Sequence, residues 1–361
     1  MNIEHDLQLV CVTYNRHDCL KETFDQLLSV NSPVRNCDFL ILDNASTDGT
    51  SDLIREVMRR HKNVRTIRHN RNVGGNANIA RAMEESSKKY LWILGDDDYF
   101  DFSNWNEAVK AMERGERVIC LSRYILPDEH KEDLAWQLVQ TTFITGVIVS
   151  AELHTDTVMA EVYNHVHTLF PQIVPVMHHV NHGGRIYVVD RPIVFNGDDG
   201  TQGKKKDLSY TRGQDANEVS PYTDYMRWEN GWAMACAMLK DPVVRESAVR
   251  HGLEFIFGRV EEAIRVFMSA RINNGDVMIP LVSPIAVQLT GSHKQAAFDT
   301  IRYIGNGTVS RMVADARHWY RYSGMNDLGL KAAAVICLWH LVKLLNPWSS
   351  LHKLHRNSGD N

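Results

Sequence analysis

Three adjacent carboxylates, Asp96, Asp97 and Asp98, follow directly on the apolar run Leu91-Trp92-Ile93-Leu94 and a single glycine, Gly95. Neighbouring anions repel one another, and a cluster of this kind is stable when solvent or a divalent cation takes up the charge. Mg²⁺ and Mn²⁺ prefer such hard oxygen donors. A short unbroken apolar run reads as a strand buried on both faces. The chemistry therefore belongs at a strand end, and the elements around it must bring partners to the same place.

Three earlier polar clusters also follow apolar runs. Thr13-Tyr14-Asn15-Arg16 follows a strand over 7–13, and Asp43 to Asp48 follows a strand over 37–42. Asn70 to Gly75 follows a short strand over 64–67. Helical spacing fills the gaps at 16–28, 50–60, 76–86 and 103–112, with Ser103 expected to cap the last of these. A strand over 117–121 closes the series. Strands alternating with helices predict βαβ units and a parallel sheet. Ligands of such sheets bind beyond the carboxyl ends of the strands, where all four polar clusters fall.

The chain has 361 residues, 23% charged and 44% hydrophobic, which suits a folded protein with more than one unit. A net charge of −4 gives no case for nucleic acid as a partner. The six cysteines are scattered without metal-ligand spacing, which predicts buried, reduced thiols in a cytoplasmic protein. Glu4 and Asp6 stand where a signal peptide would carry basic residues, and no apolar run reaches transmembrane length. Neither the glycine fingerprint of dinucleotide folds nor a P-loop is present, and Asn72-Val73-Gly74-Gly75 alone is a weak phosphate signal.

Taken together, Val12-Thr13-Tyr14-Asn15-Arg16, Leu42-Asp43-Asn44-Ala45-Ser46-Thr47-Asp48-Gly49-Thr50, Asn72-Val73-Gly74-Gly75 and Gly95-Asp96-Asp97-Asp98 resemble family 2 glycosyltransferases with the GT-A fold. The likeness covers roughly residues 6–125. It implies an α/β, Rossmann-type, mostly parallel sheet flanked by helices. It also implies transfer of a sugar from a nucleoside diphosphate sugar, most often a UDP-sugar, with inversion and with Mn²⁺ or Mg²⁺. By the resemblance, Thr13, Tyr14 and Asn15 line the nucleoside pocket and Asn72 joins them. Asp43 accepts a hydrogen bond from the base, Asp96 turns to the ribose, and Asp97 binds the metal with Asp98 beside it. Gly95 stands where many relatives carry the first acid, which leaves open which aspartate ligates.

The later chain is less informative. A β-branched stretch over 141–150 reads as a strand, but the Glu-Asp motif that often supplies the family's base does not follow it. Asp156 and His167 are the candidate bases. His165, His167, His178, His179 and His182 form a histidine-rich zone with no ligand spacing for zinc. The basic run over 55–71 reads as a solvated helix face or a patch for anionic lipid. The lysines of 204–206 suit a loop closing over a diphosphate. We expect a catalytic domain over 1–220, with a nucleotide-sugar half at 1–125 and an acceptor half at 126–220. A helical region over 221–361 follows, which could meet an oligomer partner or lie on the inner face of the cell membrane. A glycan or lipid-linked glycan is the expected acceptor. A nucleotidyltransferase and a non-catalytic sugar-nucleotide binder are the alternatives.

Overall fold

The computed structural model describes residues 1–122, 128–197 and 227–257, together with 288 and 295. The chain divides into two compact units, Met1–Phe255 and Ile256–Asn361. The expected boundary near 220 and the lysines of 204–206 lie outside the described residues, as does most of the helical region expected over 221–361.

The first unit opens with a short helix α1 (Ile3–Asp6) and strand β1 (Leu7–Thr13). There follow α2 (His17–Leu27), β2 (Asp38–Asp43), α3 (Thr50–Arg60), β3 (Val64–Arg68), α4 (Gly75–Glu84) and β4 (Tyr90–Leu94). Next come β5 (Tyr99–Phe100), α5 (Trp105–Glu113), β6 (Val118–Cys120), α6 (Leu134–Gln140), β7 (Val147–Ser150), α7 (Asp156–Asn164) and α8 (Val174–Asn181). β8 (Tyr187–Val188), β9 (Val194–Phe195), α9 (Arg227–Cys236) and α10 (Pro242–Phe257) complete the described elements.

Among the described residues, seven strands form one sheet in the order β3-β2-β1-β4-β7-β6-β8. β3, β2, β1 and β4 run parallel, with Val10 level with Leu40 and Ile93. Their burial explains the sequence pattern. β4 lies between β1 and β7 and is buried along its whole length, so it is continuously apolar. β3 is an edge strand, and its Arg65, Thr66 and Arg68 reach solvent.

Alternate residues feed two cores. Leu9, Cys11, Phe39, Ile41, Trp92 and Leu94 pack on one face with Leu20, Phe24 and Leu27 of α2 and with α5. Val10, Leu40, Leu42, Leu91 and Ile93 pack on the other with Ala80 and Met83 of α4 and with Val158 and Val162 of α7. Trp92 stacks on Trp105 at 5.5 Å, and its indole N–H donates to the Thr145 carbonyl at 2.7 Å.

Two local expectations are corrected. Ser103 does not cap α5. Asp101 caps a 3₁₀ turn over Phe102–Asn104 by accepting from the Ser103 N–H at 2.9 Å, and α5 starts only at Trp105. The strand expected over 141–150 is confined to Val147–Ser150, because Thr141 to Gly146 continues the turn that ends α6. That strand also runs antiparallel to both β4 and β6. A two-stranded ribbon pairs Tyr99 with Phe195, and it carries Gly197 so close that a Cβ there would lie 2.0 Å from the Asp97 carbonyl.

Candidate active site

The four polar clusters meet at the carboxyl edge of the parallel strands. Thr13 ends β1, and its hydroxyl donates to Asp96 Oδ2 at 2.7 Å. Asn44, just past β2, donates its N–H to the Thr13 carbonyl at 2.9 Å. Its side chain donates to Asn72 Oδ1 at 2.7 Å and accepts from the Val73 N–H at 2.9 Å. Asn15 clasps the second loop, with its N–H on Ser46 Oγ at 2.9 Å and its Oδ1 on the Thr47 N–H at 2.6 Å. Tyr14 lies half-buried on the same loop, whereas Asn72 is exposed.

These loops hold strained backbone. Asn15 has φ 53°, Ala45 has φ 66° and Gly74 has φ 84°. Asparagine and glycine tolerate this region, but alanine meets its own Cβ there. The hydrogen bonds between the loops oppose that strain.

Asp43 is 1% exposed. It accepts from the Ser46 N–H and the Ser51 hydroxyl, each at 2.8 Å, and pairs with Arg68. Burial alone would raise its pKa, but the donors from Ser46, Ser51 and Arg68 outweigh that and hold it below the ordinary carboxylate value.

The aspartate run is fixed from beneath by α2. The Thr23 hydroxyl donates to the Asp96 carbonyl at 3.0 Å, and Gln26 donates to the Asp98 carbonyl at 3.2 Å. Thr145, in the turn before β7, accepts from the Gly95 N–H at 2.7 Å. A Cβ at Gly95 would lie 2.9 Å from Asp98 Oδ2, so the Asp98 carboxylate fills the room a side chain at 95 would need. Asp98 also accepts from the Gly197 N–H at 3.4 Å.

Asp96 is 6% exposed. Burial raises its pKa to about 6 against the pull of Arg16, while Asp97 pushes it further and Thr13 lowers it. Arg16 crosses both acids, with Nε on Asp96 Oδ1 at 3.3 Å and a terminal nitrogen on Asp97 Oδ2. Burial disfavours its charge, and Asp96 and Asp97 overcome that, so its pKa is raised. Among the described residues no group of three or more His, Cys, Asp or Glu side chains is placed to hold a metal by itself.

Sequence reasoning missed Arg16, Thr23, Gln26, Arg68 and Thr145 as site residues. Thr23 left a trace, being polar on the apolar stripe of Leu20, Phe24 and Leu27. Thr145 left none, because it comes from a distant element.

The two candidate bases fall in different places. β7 is antiparallel to β4, so Ser150 lies beside Tyr90, the first residue of β4, at the far edge. Asp156 opens α7 after that and is exposed. His167 lies past the other end of α7 and is also exposed. The Asn76 side chain, next to the Asn72–Gly75 turn, donates to the Val166 carbonyl at 2.8 Å, which places His167 nearer the site loops. Four members of the basic run, Arg55, Arg60, Arg65 and Arg68, pair with Asp52, Glu56, Asp38 and Asp43. Among the described residues no helix is long and apolar enough to cross a membrane. The five described cysteines are free thiols.

The model of glycosyl transferase family 2 matches residues 9–157. Abequosyltransferase RfbV of Salmonella typhimurium is 34% identical over 88 residues, which cover 24% of this chain and 26% of that protein. Poly(ribitol-phosphate) beta-glucosyltransferase of Bacillus spizizenii is 27% identical over 112 residues, covering 28% of this chain and 18% of that protein. The chain thus aligns with about a quarter or less of the length of these two relatives. Residues 1–349 of S. aureus TarS, solved in complex with UDP-GlcNAc, superpose with a TM-score of 0.53 at 12% identity, covering 83% of this chain and 90% of that one. At that identity the likeness speaks for the fold. Residues 9–157, which carry the loops gathered on one sheet edge, thus match glycosyl transferase family 2, and the fold is similar to that of TarS.

Proposed function

We propose that the protein is a glycosyltransferase of bacterial polysaccharide synthesis. It moves a sugar from a nucleoside diphosphate sugar, with UDP-sugar as the donor, to a hydroxyl of a glycan or lipid-linked glycan. The observation that carries this reading is the hydrogen-bonded convergence of four strand-end loops on Asp96–Asp98. Both curated relatives named above are glycosyltransferases, and the TarS structure holds a UDP-sugar.

The roles follow from donor and acceptor chemistry. Asp43 is held ionised and is an acceptor for the imide N–H of uracil. Thr13, Tyr14, Asn15 and Asn72 wall the nucleoside, and Asp96 accepts from the ribose. Asp97 and Asp98 would hold Mn²⁺ or Mg²⁺. Their hard oxygens fit these ions, which commonly take one or two carboxylates and complete their shell with substrate phosphates. When bound, such an ion supplies charge stabilisation to the departing diphosphate. Direct attack by the acceptor hydroxyl gives inversion. Of the two candidate bases, His167 is the better placed. A sugar-nucleotide binder without transfer is the second reading, favoured by the position of Asp156 at the far edge.

Thermal melts with UDP, GDP and dTDP, with and without Mn²⁺, test the donor reading. UDP is expected to raise the melting temperature, and more so with Mn²⁺. No shift with any nucleotide would overturn it. Asp97→Asn should lower transfer about 100-fold or more while leaving the fold intact. Full metal-dependent activity in that variant would move the ligand role to Asp98.

A further inference from the structure

The site carries its own cation. The Arg16 side chain is 12% exposed and spans the carboxylates of Asp96 and Asp97. It is built into place. The Arg16 N–H donates to Thr50 Oγ1 at 3.2 Å, and Asn15, at φ 53° and clasped to Thr47, sets the turn from which the guanidinium folds back over the acids. We propose that Arg16 is a positioning residue that occupies the anionic face of Asp97 until a nucleoside diphosphate arrives, so that metal and nucleotide bind as a linked pair.

A divalent ion approaching alone must take Asp97 from a buried, hydrogen-bonded guanidinium. That exchange leaves Arg16 without its partner on one side and crowds two cations together. A diphosphate changes the balance. Its oxygens accept from a guanidinium fork as well as a carboxylate does, so Arg16 can move to phosphate while Asp97 turns to the metal. The metal therefore gains affinity when nucleotide is present, and by linkage the nucleotide gains affinity when metal is present. This inference rests on the nucleoside diphosphate reading above.

Titration calorimetry with Mn²⁺ alone, and with Mn²⁺ in saturating UDP, tests the proposal on the full chain. The wild type is expected to bind Mn²⁺ weakly by itself and at least about tenfold more tightly with UDP. Arg16→Met should bind Mn²⁺ alone about tenfold more tightly than wild type and lose most of the gain from UDP. A purely structural role for Arg16 would leave the metal-to-nucleotide coupling unchanged, and that result would overturn the proposal. Should Arg16→Met fail to fold by circular dichroism, Arg16→Lys retains the charge without the planar fork. Its coupling is expected to fall below that of wild type, and equality overturns the proposal again. Absence of UDP binding in the wild type would break the donor reading instead. In that case the Mn²⁺-alone comparison still decides whether Arg16 guards Asp97.

Discussion

Two regions of this unit are rich in residues that could do chemistry, and they differ in where those residues spend their hydrogen bonds. At the carboxyl edge of β1, β2 and β4 the bonds run between loops far apart in sequence, from Thr13 to Asp96, from Asn44 to Asn72 and from Arg16 to Asp97. In the histidine-rich zone of α7 and α8 they stay local. His165 donates to the Glu161 carbonyl at 2.8 Å, and His182 to the His178 carbonyl at 2.7 Å. His178 pairs with Glu161 at 2.6 Å, and His179 donates to the Arg185 carbonyl at 3.1 Å. Imidazoles that bond separate partners within one helix pair and the turn after it are not aimed at a common point. Residue type alone flagged both regions, and convergence separates them.

The sharpest test of that contrast is to remove one cross-loop partner. Arg16→Ala leaves Asp96 buried beside Asp97 with no counter-charge, and should cost about 3–5 kcal/mol in urea unfolding. A loss below about 1 kcal/mol would mean that the edge is a loose assembly rather than a built site.

His154 offers a different break. It lies past β7, largely buried, with Nδ1 lacking a partner. Burial lowers its pKa to about 4 from 6.5. The unfolded chain therefore takes up this proton first as pH falls. The contribution of His154 is fully present above pH 6.5 and is lost progressively between pH 6.5 and about 4, up to about 3 kcal/mol. His154→Leu should remove that slope relative to wild type. Asp96 acts in the same window with opposite sign, because its raised pKa makes its ionisation cost stability as pH rises. The difference between variant and wild type is therefore the quantity to measure.

Smaller changes grade the two regions. Thr13→Val strips Asp96 of its hydroxyl donor and should cost about 1–3 kcal/mol. Ala45→Gly relieves a left-handed residue in the second loop and should stabilise by about 0.5–1 kcal/mol, provided the loop keeps its conformation. His178→Ala, in the local network, should change stability by less than about 1 kcal/mol, since its partner Glu161 is solvent-exposed on the helix surface. A His178 loss equal to that of Thr13 would erase the distinction drawn here.

Much of the architecture around the aspartates was legible in the chain. The apolar run before Asp96 had to be a strand, and its unbroken character matches a strand buried on both faces between β1 and β7. The polar clusters after 13, 43, 68 and 94 had to lie on one edge once the strands were parallel. α3 falls on the expected residues, Thr50–Arg60, because its apolar positions repeat at helical spacing. Ser103 failed as a cap because it lies inside a 3₁₀ turn that Asp101 caps, and α5 starts only at Trp105. The strand over 141–150 was overread because the Thr141 and Thr142 hydroxyls instead donate to the Leu138 and Val139 carbonyls and close the end of α6.

The opening feature of the chain, three aspartates after a buried strand, was determined by sequence alone, because hydrophobic period and polarity are local properties. The sequence could also say that a cation should answer them. Only the tertiary structure decided which residues do. The direction of β7 carries Asp156 to the far edge, and a strand's direction depends on partners many residues away. Arg16 meets Asp96 and Asp97 across a separation of about 80 residues, and no periodicity in the chain encodes so distant a pairing. What the sequence specified was a strand end bearing negative charge. What folding added was the guanidinium laid across it.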